Sequence, residues 1–105
     1  IPVGHGRWTV WGFRFGDLVY LTDAKEIPRE SLDLMRGAEV LVINGLREKP
    51  HPVHLSIPEA VEVIREVKPA RAYLTHISHD VCHDEMSDRL PEGIELAYDG
   101  LVVDL

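Results

Sequence analysis

Ala72-Tyr73-Leu74-Thr75-His76-Ile77-Ser78-His79-Asp80 is a short apolar run that passes straight into two histidines and an aspartate. Two earlier runs end on polar residues in the same way, Val19-Tyr20-Leu21-Thr22-Asp23 and Val40-Leu41-Val42-Ile43-Asn44. The unbroken apolar character of residues 40–43, after Glu39, suits a parallel strand covered on both faces. Between that run and the opening one lies the best-marked helix of the chain. Ser56-Ile57-Pro58-Glu59 has capping-box spacing, and Ile57, Ala60, Val61, Ile64 and Val67 recur at helical intervals with Glu62, Arg65, Glu66 and Lys68 on the outer face. Pro69 ends it. Residues 39–75 therefore predict a strand–helix–strand crossover, right-handed and parallel. The fold class that follows is α/β. In open α/β sheets ligands gather beyond the carboxyl ends of the strands, and those ends here carry Asp23, Asn44 and His76.

Working outward, Trp8 to Phe15 alternates roughly between apolar and polar and reads as one strand. Gly16-Asp17 then turns it into Leu18 to Leu21 as a hairpin. His5 falls in a glycine-flanked loop, Gly4-His5-Gly6, ahead of that strand. Pro28 to Arg36 predicts a short helix with Leu32, Leu34 and Met35 available to pack and Gly37 as its stop. Gly45 to Leu55 is irregular and contains His51-Pro52-Val53-His54. Asp84 to Leu90 predicts a helix with Met86 and Leu90 turned inward. Asp99-Gly100, between Ile94–Tyr98 and Leu101–Leu105, predicts a closing hairpin.

A chain of 105 residues suits one small domain, 1–105, without linkers or repeats. The net charge of −7 opposes binding to nucleic-acid backbones, although bound metal ions would reverse the local sign for a small phosphorylated substrate. No apolar run is long enough to span a membrane. Ile1-Pro2-Val3-Gly4 has neither an initiating Met nor the marks of a signal peptide, so a processed start or a piece of a longer chain is expected. Cys82 is the single cysteine, which leaves no disulfide framework or thiolate cage and makes a reducing cytoplasm the default location.

Histidine is the compositional outlier. His5, His51, His54, His76, His79 and His83 all lie in or beside loop-like stretches. Taken singly, a histidine in such a place is more often a hydrogen-bonded or exposed structural residue than a ligand. His83, opening an amphipathic helix, fits that description best, and His51 reads equally well as a solvated loop residue. His76 and Asp23 stand out because both sit at strand ends, where imidazole and carboxylate can share a cation.

Three motifs together carry a resemblance. They are Gly4-His5-Gly6 followed by Val10-Trp11-Gly12-Phe13-Arg14-Phe15-Gly16-Asp17-Leu18-Val19-Tyr20-Leu21-Thr22-Asp23, then Val53-His54-Leu55-Ser56 opening a helix, then Leu74-Thr75-His76. This pattern resembles the second half of a metallo-β-lactamase-fold hydrolase, in the phosphodiesterase branch that includes phosphoribosyl cyclic phosphate phosphodiesterases and tRNA 3′-processing endonucleases. The resemblance implies an αββα sandwich, a mixed sheet with helices packed on it, of which this chain is the C-terminal half. It implies His5, Asp23 and His76 as metal ligands, with Asp23 bridging two ions, and His54 as the group beside the scissile phosphate. His79 and Asp80 would support a ligating histidine from behind. Zinc is the first expectation for the metal, and manganese the second.

The family's His-x-His-x-Asp-His signature is absent from these residues. The expectation is therefore a half-domain that is inactive alone and pairs with the N-terminal half, with its own copy, or with both. The function implied is hydrolysis of phosphodiester bonds by metal-activated water, on a small cyclic phosphate or nucleotide-like substrate. The rival readings are a non-catalytic α/β fragment or interaction module, and a thioester or other carbonyl hydrolase of the same fold.

Overall fold

The computed structural model describes Ile1–Leu105. The apolar runs at 18–21, 40–44 and 71–75 form adjacent parallel strands: β4 (Leu18–Leu21), β5 (Val40–Asn44) and β6 (Arg71–Thr75). With β3 (Phe13–Phe15), antiparallel at one edge, and β7 (Ile94–Leu96), parallel at the other, they make a five-stranded mixed sheet in the order β3-β4-β5-β6-β7. A separate two-stranded ribbon joins β1 (Pro2–His5) to β2 (Trp8–Trp11). The helices are α1 (Arg29–Met35), α2 (Ile57–Val67) and α3 (His83–Arg89).

Side chains alternate across a strand, so each strand contributes one set to each face. Val19, Leu21, Leu41, Ile43, Ala72, Leu74, Ile94 and Leu96 join Met35, Ala60, Ile64, Val67 and Met86 of the helices in one core. The opposite face carries Phe13, Phe15 and Tyr20, which stay exposed. Helix α2 starts as its sequence requires: Ser56 accepts from the Glu59 N–H and Glu59 accepts from the Ser56 N–H, the reciprocal capping box. Lys68, in left-handed conformation, closes it before Pro69.

Four sequence expectations are corrected. Trp8–Phe15 is two strands, broken at Gly12, because a Cβ there would meet the Leu21 side chain and the Tyr20 carbonyl. His5 is the last residue of β1, paired with Trp8, and the turn lies after it rather than around it. Leu34 of α1 points to solvent, while Ser31 takes a buried place and donates to the Pro2 carbonyl at 2.5 Å. Asp99-Gly100 does turn, with the Leu101 N–H on the Tyr98 carbonyl, but residues 101–105 form no strand. The strand that Ile94–Leu96 pairs with is β6, from far back in the chain, and Val102 and Leu105 meet no core.

Candidate metal centre

Three strand ends converge as parallel topology requires, since β4, β5 and β6 all finish on the same edge. Asp23 lies just past β4, and His76 leaves β6 with φ +56°, a left-handed conformation that L-residues adopt only where the surroundings impose it. His54 stands two residues before the N-cap of α2, and His5 arrives from the ribbon.

These four side chains meet. His54 Nε2 lies 3.1 Å from His76 Nε2, and Asp23 Oδ1 lies 3.5 Å from the first and 3.8 Å from the second. The His5 ring stands edge-on to His54 with centroids 4.6 Å apart. One donor atom each from His5, Asp23 and His54 falls within 4.8 Å of the others, a separation at which a single cation can be shared. His5 Nδ1 lies 2.9 Å from the Asp23 carbonyl oxygen. That geometry has Nδ1–H donating to the carbonyl, which leaves Nε2 as the free lone pair. His54 Nδ1 is buried with no partner, and a bare lone pair there costs less than an orphaned N–H, so His54 carries its proton on Nε2. Imidazole nitrogens and a carboxylate oxygen, without thiolate, form a donor set that fits zinc or manganese.

The charge states agree with this chemistry. Burial works to raise the Asp23 pKa, yet the Thr22 hydroxyl, which donates at 2.8 Å, together with His54, His76 and His5, carries it below its ordinary value. Burial lowers His54, and His76, His5 and His51 lower it further against the opposing pull of Asp23. His51 is lowered by burial and by the cations Arg47 and Lys25. The site therefore holds one anionic carboxylate, beside the His54 and His51 imidazoles that resist protonation.

The expected His5, Asp23, His54 and His76 are thus brought together, whereas His79 and Asp80 are not brought to them. The His79 side chain is 94% exposed and lies 3.3 Å from Asp80, with no hydrogen bond or ion pair to the four. His83 opens α3 away from them. Two residues escaped sequence reasoning. His51 packs its ring 5.1 Å from that of His54 and accepts from the Val53 N–H, and only the short His51–His54 spacing hinted at it. Lys25 ties the segment after Asp23 to Glu59 of the capping box, a pairing across 34 residues that no local pattern announces.

Residues 1–77 match the family model described as "Beta-lactamase superfamily domain". The chain belongs to the β-lactamase superfamily. It is 43% identical to a solved structure described as a new diphosphatase from the PhnP family, with a TM-score of 0.97 over 99% of this chain and 41% of that one. The metallo-β-lactamase fold protein YhfI from Bacillus subtilis superposes with a TM-score of 0.81 at 20% identity, over 99% of this chain and 48% of that one. An octanoyltransferase from Porphyromonas gingivalis is 37% identical over 103 residues, which are 96% of this chain and 21% of that protein. The superfamily chain described here thus spans about a fifth of that curated relative. Its architecture is the metallo-β-lactamase fold, in a mixed α/β arrangement of the part represented here. Members of this superfamily bind divalent metals, and His5, Asp23 and His54 offer a set that fits one. No helix is long and apolar enough to cross a membrane.

Proposed function

We propose that this chain is the C-terminal half of a metal-dependent hydrolase that cleaves P–O bonds in a small phosphate diester or diphosphate. The observation that carries the reading is the convergence of His5, Asp23, His54 and His76 on one point at the carboxyl edge of the sheet. The 43% identity to a protein described as a diphosphatase supports phosphorus, rather than carbonyl, as the reacting centre. The name octanoyltransferase belongs to a protein of which this chain matches 21%.

In this reading His5, Asp23 and His76 hold the metals, zinc first and manganese second, with Asp23 between two ions in the completed domain. A bound divalent cation would supply Lewis acidity, making water a better nucleophile at neutral pH and neutralising phosphate charge. The rest is the work of the side chains. His5 is oriented by the Asp23 carbonyl so that Nε2 faces the centre. His54, kept neutral with its proton on Nε2, would donate that N–H to an oxygen of the bound phosphate. The same N–H would stabilise the charge that develops on the departing oxygen. The N-terminal half of the domain supplies the remaining ligands, and the phosphate-ester substrate is small because the chain is acidic. The lone, exposed Cys82 suits a reducing cytoplasm.

Because a His54 nitrogen already lies within 4.8 Å of donors from His5 and Asp23, His54 as a third ligand is the second arrangement the geometry supports. The test uses the protein expressed from its full reading frame, with zinc or manganese, on a bis-aryl phosphate, a small diphosphate and a thioester. Hydrolysis at phosphorus is expected, with His54→Ala lowering kcat about 100-fold or more while metal content holds. Asp23→Ala should abolish metal binding. Cleavage of the thioester alone, or full activity in His54→Ala, overturns the reading. Loss of metal in His54→Ala reassigns that residue as a ligand.

A further inference from the structure

Asn44 is fully buried at the end of β5, and its side chain spends both its polar atoms on one residue. Oδ1 accepts from the Ala24 N–H at 2.9 Å, and Nδ2 donates to the Ala24 carbonyl at 2.8 Å. A carboxamide offers a donor and an acceptor side by side in one plane, and here it pairs with Ala24 as a residue of a neighbouring antiparallel strand would. Ala24 is itself fully buried and follows Asp23 directly.

The clamp is the first link of a ladder across the strand ends. The Leu55 N–H donates to the Ala24 carbonyl at 2.9 Å, the Leu46 N–H to the Leu55 carbonyl at 3.0 Å, and the Ser78 N–H to the Leu46 carbonyl at 2.7 Å. Gly45, next to Asn44, donates to the Thr75 carbonyl at 3.1 Å. Asp23 precedes Ala24, His54 precedes Leu55, and His76 lies two residues before Ser78. Each of these site residues is therefore one or two residues along the chain from a rung, and the rungs run in series from Ala24.

We propose that Asn44 is a positioning residue of the metal centre, whose carboxamide, by clamping Ala24, sets the separation of Asp23 from His54 and His76. The inference rests on the metal-binding reading above, since spacing matters only if the three side chains act on one ion. Removing the clamp leaves the buried Ala24 N–H without its partner and the Ala24 carbonyl with the Leu55 N–H alone, and the Asp23 segment shifts against the His54 loop.

The experiment uses the protein from its full reading frame with Asn44→Leu, similar in size but unable to bond, and Asn44→Asp, which keeps the acceptor for the Ala24 N–H and loses the donor. Zinc affinity is measured by chelator competition at a temperature where circular dichroism shows both variants folded. Amide exchange is followed at residues 22–26 and 53–58. Asn44→Leu should weaken zinc binding about 10- to 100-fold. It should also speed exchange at Ala24 and Leu55 without affecting the interior of α2, with Asn44→Asp in between. If Asn44→Leu does not fold, Asn44→Asp alone carries the comparison. Lower melting temperature with zinc affinity unchanged would make Asn44 a structural residue only and overturn the proposal. If the unsubstituted protein binds neither zinc nor manganese, the metal reading fails. The exchange data then decide the clamp alone: faster exchange at Leu55 upholds it, and unchanged exchange removes it.

Discussion

Asp23 keeps its charge in a partly buried place because a hydroxyl and three imidazoles face it, and His54 is kept neutral by burial and by its own kind. Both shifts have the same consequence for stability. Each group binds a proton less readily in the folded state than in the unfolded one, so the unfolded chain takes up more protons and stability rises with pH. For His54 the loss begins as pH falls through its ordinary value of 6.5 and is complete below its folded value. For Asp23 it begins only as pH falls through the ordinary value of 3.8. The metal-free protein should therefore melt at lower temperature at about pH 5.5 than at about pH 7.5, and His54→Gln should flatten that slope. A melting temperature that is flat or rises on acidification in this window would contradict the assigned shifts.

Among the elements, the break between β2 and β3 is the most exacting. The Gly12 N–H donates to the Ile1 carbonyl at 2.7 Å, and an added Cβ would stand 1.8 Å from Leu21 Cδ2. Leu21 is fully enclosed in the core and has nowhere to go. Gly12→Ala should cost about 1–3 kcal/mol, read as a lower denaturation midpoint at unchanged m-value. Stability equal to the parent would show that the ribbon can shift to accommodate a methyl group. The crossover 39–75 followed its sequence because each of its signals is local: an apolar run, a capping box, a helical stripe and a proline. The hairpin after Ile94 failed for the opposite reason. Its turn signal was local and correct, but the choice of strand partner lay with β6 and outcompeted it.

At the scale of the whole molecule, helices pack on one face of the sheet, and the other face leaves aromatic side chains exposed at its β3–β4 edge. The radius of gyration of 12.7 Å is what a folded chain of this length requires, so the residues close on their own core. Yet Phe13 and Phe15, stacked at 6.2 Å, remain exposed with Tyr20 at that edge, and Trp8 and Trp11 are exposed on the ribbon. A contiguous aromatic patch of this kind marks a surface on which something packs. The 105 residues taken alone should associate with increasing concentration in sedimentation experiments, and Phe13→Lys with Phe15→Glu should shift them toward monomer. Strictly monomeric behaviour at high concentration would show that the face needs no cover.

The sequence by itself determined the α/β class, the parallel crossover, the start and end of α2, and the candidates Asp23 and His76, because periodicity, caps and strand-end position are all written within a few residues of one another; His54 entered only through the family resemblance of its motif. Only the tertiary structure decided that His5 belongs on a strand beside them, that His51 packs on His54, that His79 and Asp80 point away, and that Asn44 clamps Ala24. Those facts join residues 18 to 49 positions apart or turn on which way a side chain faces. Such placements are fixed by strand register and by the burial of backbone polar groups, which exist only once the sheet has formed.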